Sequence, residues 1–217
     1  MIDISKYDFF IFDCDGVILN SNNLKSMAFA EALIGEPPDL VEEFVEYHKN
    51  NGGVSRYEKF RYYYETIKNK VDTENEIENA LNNFSNIVSE GLLKCQYIPG
   101  VIKFIKKLHL KQKTLFVVSG SDEDELLEVF RKRMISHYFN NIYGSPICKM
   151  ENTSKVIKLM GKDQNGLFIG DSKLDYDVAI KYRLDFIFVK AVTEWKNGEQ
   201  LINQDRIIQD FEGINEY

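Results

Sequence analysis

Strand-like and helix-like segments alternate through the second half of this chain, and this alternation limits the fold more than any other feature of the sequence. The apolar runs that resemble buried strands lie at 114–118, 141–143, 166–169 and 186–189. The segments at 101–110, 122–133, 153–160 and 176–182 instead repeat their apolar residues every three or four positions. A repeated strand-helix unit predicts a parallel sheet with helices on both faces. An earlier aromatic run, 7–12, has the composition of another buried strand of that sheet.

Residues 22–90 have a different periodicity and contain no strand-like run. Four sets of apolar residues recur at three- and four-residue spacing, beginning at Leu24, Leu40, Tyr57 and Ile77. Each set lines one face of a helix, so the segment predicts a small bundle of amphipathic helices. We therefore expect an α/β protein whose Rossmann-like parallel sheet carries an inserted α-helical bundle. The predicted domains are a sheet domain, residues 1–19 and 92–217, and the helical insertion, residues 20–91.

The composition of the 217-residue chain argues against several classes of function. Its formal net charge of −7 opposes binding to nucleic acid or to an anionic membrane, because both need a basic surface. No apolar run approaches the roughly 18 to 20 residues that span a bilayer, and the first residues do not resemble a signal peptide. The three cysteines, Cys14, Cys95 and Cys148, are far apart and indicate neither a disulfide framework nor a zinc site. We expect a cytoplasmic monomer.

Acidic side chains follow two of the predicted strands. Asp13 and Asp15 come directly after the first strand, and Asp171 and Asp175 follow the strand at 166–169. Ligands of an open parallel sheet bind beyond the carboxyl ends of its strands, so these carboxylates should meet there. Converging carboxylates repel one another unless a hard cation neutralises them, and Mg²⁺ prefers oxygen ligands. The sequence therefore predicts a magnesium site.

Groups suited to binding phosphate stand at the same predicted edge. Ser119 and Gly120 follow the strand at 114–118 and offer a hydroxyl and a backbone amide, and Lys149 offers a point charge. Lys155, further along the chain, could reach the same phosphate, although the loop context favours Lys149. Metal ligands on one side and phosphate donors on the other predict a site for phosphoryl transfer.

Four short motifs, in this order along the chain, resemble those of the haloacid dehalogenase superfamily of phosphohydrolases. They are FDCDGV at 12–17, VVSG at 117–120, Lys149, and FIGDS at 168–172 with Asp175. The helical insertion lies where that superfamily has its cap of the first type. The resemblance covers nearly the whole chain and is to phosphatases of the β-phosphoglucomutase and phosphoglycolate phosphatase type.

The resemblance implies a role for each of these residues. Asp13 would be the nucleophile that forms an aspartyl phosphate. Asp15 would be the general acid and base, which requires a carboxyl able to hold a proton near neutrality. Mg²⁺ would bind to Asp13, to the main-chain carbonyl of Asp15 and to Asp171. Asp175 would contact either the ion itself or one of its ligands. The implied phosphate-binding residues are Ser119, Gly120 and Lys149.

The helical cap supplies the expected substrate contacts. The segment GVSR at 53–56 resembles the cap loop of β-phosphoglucomutases, which implies that Arg56, with Lys59 one turn further on, contacts the leaving group of the substrate. The alternative is an exposed arginine at the start of a helix. Those mutases carry a histidine where this chain has Lys25. We therefore expect hydrolysis of a small phosphorylated metabolite such as a sugar phosphate, and keep a sugar phosphomutase of the β-phosphoglucomutase type as the alternative.

Overall fold

The computed structural model describes residues 3–161, 163–212 and 214, and its central element is a parallel sheet of six strands. The strands are β1 (Phe9–Phe12), β2 (Thr114–Asp122), β3 (Asn141–Ser145), β4 (Gly166–Gly170), β5 (Asp185–Val189) and β6 (Ile207–Ile208). Their order across the sheet is β3-β2-β1-β4-β5-β6, and every neighbouring pair is parallel. The strand predicted from the first aromatic run is central, and the predicted α/β fold is confirmed.

Helices flank the sheet and fill the chain between β1 and β2. The described helices are α1 (Asn22–Glu31), α2 (Pro38–Asn50), α3 (Arg56–Tyr62), α4 (Glu74–Lys94), α5 (Val101–Leu110), α6 (Glu123–Lys132), α7 (Lys149–Met160), α8 (Lys173–Lys181) and α9 (Gly198–Leu201). Helices α1 to α4 form the predicted insertion between the first two strands. None of the described helices has the length and apolar character needed to cross a bilayer.

The side chains of β1 show how the sheet is covered. Phe10 and Phe12 belong to a core shared with α5 and the helical insertion, whereas Phe9 and Ile11 belong to a second core that includes residues of α7 and α8. All four are fully buried, because alternate residues of a central strand face opposite sides of a sheet that helices cover on both faces. The polar positions of this part of the chain are therefore confined to the strand ends.

Aromatic rings pack at the centre of the helical insertion. Phe29 of α1, Phe44 of α2, Phe60 of α3 and Phe84 of α4 contact one another there. The ring centroids of Phe29 and Phe84 lie 4.3 Å apart, and those of Phe29 and Phe60 lie 5.3 Å apart. One ring from each helix thus supplies the apolar face that the periodicity predicted.

Two of the predicted helices have different ends in the structure. α3 stops at Tyr62 and continues as a π-helical turn, Tyr63–Ile67, whereas the apolar spacing predicted one regular helix. α4 runs to Lys94, so the predicted domain boundary between residues 91 and 92 falls inside a helix. The division of the chain into a sheet domain and an insertion stays a prediction.

The chain leaves the sheet before α1 and returns towards it after α4 at neighbouring points. The backbone amide of Asn20 donates a hydrogen bond to the carbonyl of Gln96 (2.9 Å). Just before this crossing, Gly16 has a φ of +76°, and a Cβ atom there would lie 2.1 Å from Oδ2 of Asp171. Glycine is required at this position by both its backbone conformation and the close approach of the carboxylate.

Candidate active site

Three carboxylates meet beyond the ends of β1 and β4. Asp13 follows β1, Asp171 follows β4, and Asp175 lies in the first turn of α8. All three residues are buried, and one oxygen of each side chain lies within 4.8 Å of the other two. These three residues are called the acidic cluster below. The structure thus brings together side chains from two strand ends that are far apart in sequence.

Burial and mutual repulsion make the acidic cluster unfavourable without a cation. Burial, and next the charge of Asp175, raise the pKa of Asp13 to about 7. Burial and the charge of Asp13 raise the pKa of Asp171 well above its usual range. Both shifts show that the ionised carboxylates are disfavoured where they stand, and a hard divalent cation would reverse this by pairing with their oxygens. The donor set therefore fits Mg²⁺.

The side chain of Lys149 is fully buried beside two members of the acidic cluster. Its Nζ lies 2.9 Å from Oδ1 of Asp13 and 2.5 Å from Oδ1 of Asp175. Burial acts to lower the pKa of Lys149, but the charges of Asp13 and Asp175 outweigh it and raise the pKa above its usual value. Lys155, the alternative from the sequence, instead donates to Oδ1 of Asn152 (2.8 Å). The structure brings Lys149, and not Lys155, to the acidic cluster.

Both carboxylate oxygens of Asp175 are engaged within the protein. Oδ1 accepts from Lys149, and Oδ2 accepts from the hydroxyl (2.6 Å) and the backbone amide (3.1 Å) of Ser172. Oγ of Ser172 also accepts from the backbone amide of Asp175, which completes a capping box at the start of α8. Asp175 therefore fixes the position of the Lys149 ammonium group and the start of α8.

Asp15 directs its carboxylate to a different set of partners. Oδ2 accepts from Nζ of Lys25 (2.6 Å) and from Oγ of Ser121 (2.6 Å), and Oδ1 accepts from Oγ of Ser21 (2.5 Å). Burial alone would raise the pKa of Asp15, but the Lys25 ammonium group and the hydrogen bonds hold that pKa at about 2. The role of general acid needs a proton near neutrality. In this structure Asp15 is ionised instead, because Lys25 lies beside it.

Ser119 and Gly120 belong to the end of β2, which is longer than predicted, and they line the same pocket as Asp13. Oγ of Ser119 accepts from the backbone amide of Ser121 (3.2 Å). A Cβ atom at Gly120 would lie 2.1 Å from the carbonyl oxygen of Gly53, in the cap loop. Glycine is therefore needed at position 120 for the cap loop to approach this strand end.

Arg56 and Lys59, the predicted cap contacts, both line the pocket and are both buried. Arg56 is only 4% exposed, so it is not a solvent-exposed residue at a helix start. Its Nη1 and Nη2 atoms contact the carboxylate of Glu125 on α6 at 3.1 Å and 2.5 Å. Nζ of Lys59 lies 2.8 Å from Nδ1 of His48 on α2. The structure places both residues at the pocket but gives Arg56 a counterion from the protein.

Further polar residues reach the site although the sequence did not single them out. Nδ2 of Asn22 donates to Oδ2 of Asp171 (2.7 Å), and Oγ of Ser121 donates to Asp15. Glu194, in the loop after β5, also lines the pocket. Asn22 is the first residue of α1, directly after the loop of the first motif, and that position could have indicated a role at the site. Glu194 follows no motif, so no local signal marks it.

Comparison with known proteins gives a family match over most of the chain. The sequence profile of the family described as "Haloacid dehalogenase-like hydrolase" matches residues 10–189. This span includes the acidic cluster, Lys149 and helices α1 to α4. Among the curated proteins, none matches this chain.

Solved structures share the fold over most of the chain. A predicted phosphoglycolate phosphatase from Haemophilus somnus has 19% identity and a TM-score of 0.74, with 96% of each chain covered. The β-phosphoglucomutase of Clostridium difficile has 21% identity and a TM-score of 0.76, with 96% of this chain and 93% of that chain covered. A predicted phosphatase from Clostridium acetobutylicum has 17% identity and a TM-score of 0.65, with 85% of each chain covered. At these sequence identities, the comparison shows that the chains share a fold.

Proposed function

Since this chain belongs to the family of haloacid dehalogenase-like hydrolases, we propose that it is a magnesium-dependent phosphatase of a small phosphorylated metabolite. The observation that carries this proposal is the meeting of Asp13, Asp171 and Lys149 at one end of the sheet. Carboxylates able to hold a cation lie beside an ammonium group able to hold a phosphate, and together they complement a phosphate monoester with its metal ion. We further propose that the substrate is a sugar phosphate and that the protein acts as a monomer in the cytoplasm.

Asp13 is the proposed nucleophile. Its Oδ1 accepts a hydrogen bond from the backbone amide of Cys14 (2.7 Å) and lies 2.9 Å from Nζ of Lys149, so the carboxylate is held in one orientation. The other oxygen would attack phosphorus, forming an O–P bond while the bond from phosphorus to the leaving oxygen breaks. This step gives an aspartyl phosphate on Asp13, and the leaving oxygen departs with a proton from Asp15.

The acidic cluster is the proposed magnesium site. Asp13 and Asp171 would bind the ion through their carboxylates and Asp15 through its main-chain carbonyl, with Asp175 beside them. Bound there, Mg²⁺ would neutralise the phosphate charge that these carboxylates otherwise repel. The proposed phosphate donors from the protein are Ser119, Gly120 and Lys149.

Asp15 must give a proton in the first step and accept one in the second. In the structure Lys25 keeps Asp15 ionised, which suits the second step, where Asp15 takes a proton from the water that attacks the aspartyl phosphate. For the first step, we propose that the incoming phosphate attracts the Lys25 ammonium group away from Asp15. The pKa of Asp15 then rises, and the carboxyl takes up a proton and passes it to the leaving oxygen.

The phosphomutase alternative is motivated by the cap loop that contains Arg56. A mutase of this type would use that arginine to bind the second phosphate of a bisphosphate intermediate. Both terminal nitrogens of Arg56 contact Glu125, so the guanidinium group is already neutralised by the protein. This observation favours hydrolysis over the mutase reaction.

The proposed function is tested by phosphate release from p-nitrophenyl phosphate and from a panel of sugar phosphates, with and without magnesium. We expect turnover that requires magnesium and disappears in the Asp13→Asn variant. Failure to release phosphate from any ester in the presence of magnesium, or undiminished turnover by Asp13→Asn, contradicts the proposal.

The same assay separates hydrolase from mutase. Hexose phosphates are incubated with a catalytic amount of hexose bisphosphate, and isomer and free phosphate are measured together. We expect free phosphate to be the main product. Isomer formation that outpaces phosphate release identifies a mutase.

A further inference from the structure

Lys59 is a buried ammonium group in the pocket, and no carboxylate of the described chain forms an ion pair with it. It is 2% exposed and belongs to α3 of the cap. The other buried cations around the pocket have counterions: Lys149 contacts Asp13 and Asp175, Lys25 contacts Asp15, and Arg56 contacts Glu125. Lys59 therefore differs from its neighbours in having no anionic partner among the residues that the structure describes.

A chain of hydrogen bonds positions Lys59. Oγ of Ser26 donates to Oε1 of Glu194 (2.7 Å), so the contact of 3.0 Å between Ser26 and Nε2 of His48 needs the histidine as donor. Nδ1 of His48 is then the acceptor, and Nζ of Lys59 donates to it at 2.8 Å. Burial, and next the charge of Lys59, lower the pKa of His48 well below its usual value, in keeping with this neutral ring. The directions of all three bonds are consistent.

This chain leaves donor capacity of Lys59 unused. An ammonium group carries three N–H donors. One is directed to Nδ1 of His48, and the next contact, the main-chain oxygen of His48, is at 3.5 Å. Lys59 also lines the pocket that contains Asp13, which is the space that a substrate would occupy.

The Lys59 ammonium group has His48 and, 5.3 Å from its Nζ, the ring of Phe29 as neighbours, but without an anionic partner its burial is unfavourable. Burial, and next the charge of Lys25, lower the pKa of Lys59 to about 7. A buried charge is stabilised when a partner of opposite charge binds to it. The missing partner can come from a ligand, and the cap is the part of the molecule that faces the leaving group.

We propose that Lys59, positioned by His48, Ser26 and Glu194, binds a second anionic group carried by the leaving group of the substrate. The substrate class is then a phosphate ester that also bears a carboxylate or a second phosphate. This inference rests on the proposed phosphatase function, because it assigns the part of the substrate that the chemistry at Asp13 does not touch.

The test measures binding by calorimetry in the presence of magnesium, in an Asp13→Asn background that prevents turnover. Matched pairs differ only in the second group: phosphoglycolate against hydroxyethyl phosphate, phosphoglycerate against glycerol phosphate, and phosphogluconate against glucitol phosphate. A separate arm compares a hexose bisphosphate with the hexose monophosphate, and thereby distinguishes a second phosphate from a carboxylate. The series covers several distances between the two groups.

We expect the doubly anionic member of at least one pair to bind at least about tenfold more tightly, the size of one charge-assisted contact. Adding Lys59→Met should remove that preference, so that the two members of the pair bind with affinities within about twofold of each other. Lys68→Met is the matched control, because Lys68 lies on the same cap and pairs with Glu36. It should keep the preference.

Equal affinities in every pair, or a preference that survives in Lys59→Met, overturn the inference. If the methionine variant does not fold, as judged by circular dichroism, Lys59→Gln replaces it with the same expected loss. Turnover of p-nitrophenyl phosphate by the unmodified protein is measured separately. That reaction has no second anion, so its failure counts against the proposed function, whereas the loss of preference tests only the role of Lys59.

Discussion

Nζ of Lys25 lies 2.6 Å from Oδ2 of Asp15, and the same oxygen accepts a hydrogen bond from Ser121. This pairing gives the two aspartates of the first motif different pKa values. Against the effect of burial, Lys25 helps to hold the pKa of Asp15 at about 2, whereas burial and Asp175 raise the pKa of Asp13 to about 7. Two carboxylates separated by a single residue therefore differ in charge state at mildly acidic pH.

Replacing Lys25 should change the pH dependence of phosphate release. Lys25→Met removes the ammonium group, so the pKa of Asp15 should rise by about 1 to 3 units, the usual effect of one adjacent charge. Because Asp15 must be protonated in the step that kcat/KM reports, the alkaline limb of the profile of kcat/KM against pH should move upward by a similar amount. Lys70→Met, at an exposed pair with Glu76, is the control and should leave the profile unchanged. An unaltered profile in Lys25→Met contradicts the role given to this pair.

Asp13 should lower the stability of the metal-free protein at neutral pH. Its folded pKa of about 7 lies above the ordinary value of 3.8, so the folded state binds more protons and stability falls as pH rises from about 4 to 7. Asp13→Asn should therefore raise the free energy of unfolding above pH 7 by on the order of 3 to 4 kcal/mol. Asp163→Asn, at an exposed position, should change it by less than about 0.5 kcal/mol.

Denaturant unfolding at several pH values, with and without magnesium, measures both effects. Magnesium should stabilise the unmodified protein more than Asp13→Asn, because the variant loses a charged ligand. If Asp13→Asn is less stable than the unmodified protein at pH 8 without metal, the ionised carboxylate of Asp13 does not destabilise the acidic cluster.

Lys59 should have the opposite dependence on pH. Its folded pKa of about 7 lies below the ordinary value of 10.5, so the unfolded state binds more protons and stability rises as pH increases from about 7 to 10. Burial is the largest cause of this low pKa; among the charged groups, Lys25 and Lys149 lower it further, whereas Glu194 and Asp15 raise it.

Lys59→Met should accordingly stabilise the ligand-free protein by several kcal/mol near pH 6, at about 1.4 kcal/mol for each unit of pKa shift, and by less near pH 10. The exposed pair of Lys94 and Glu90 offers a control, since Lys94→Met should change stability by less than about 0.5 kcal/mol. Thermal and denaturant unfolding at the two pH values give the comparison. Destabilisation of Lys59→Met at pH 6 argues for a purely structural lysine.

Arg56 should contribute more to stability than its surface neighbour Arg61. The pair of Arg56 and Glu125 is largely buried and joins the cap to α6, so Arg56→Met leaves a buried carboxylate unpaired and should cost about 3 to 5 kcal/mol. Arg61 pairs with Glu65 on the surface, and Arg61→Met should cost no more than about 1 kcal/mol. Equal losses in the two variants, measured by urea unfolding, contradict the assignment of Arg56 as a buried contact between cap and sheet.

The sheet and its strand ends were predictable because their signals are local. A central parallel strand is apolar on both faces, and Phe9–Phe12 shows this within a few residues. The motifs at Asp13 and Asp171 come directly after such strands, so the topology alone brings them to one edge.

The charge states and partners in the site could not be predicted in the same way. Glu125 neutralises Arg56 from α6, which follows β2 in the chain, and neither sequence segment contains a signal that predicts the other. Glu194 meets Ser26 through a loop that lacks a motif. Such pairs form only when the cap packs against the sheet. This packing involves segments that are far apart in sequence, so no local pattern predicts it.

The hydrogen bond between Asn20 and Gln96 has a consequence for how such a chain can diversify. A long stretch of polypeptide begins and finishes at one spot on the sheet, so changes within it that spare Asn22 and Lys25 can leave strand register and the proposed nucleophile in place. Selection can therefore remodel what is admitted to the pocket while the strand ends that carry Asp13 and Asp171 stay in place, in the manner of an exchangeable module.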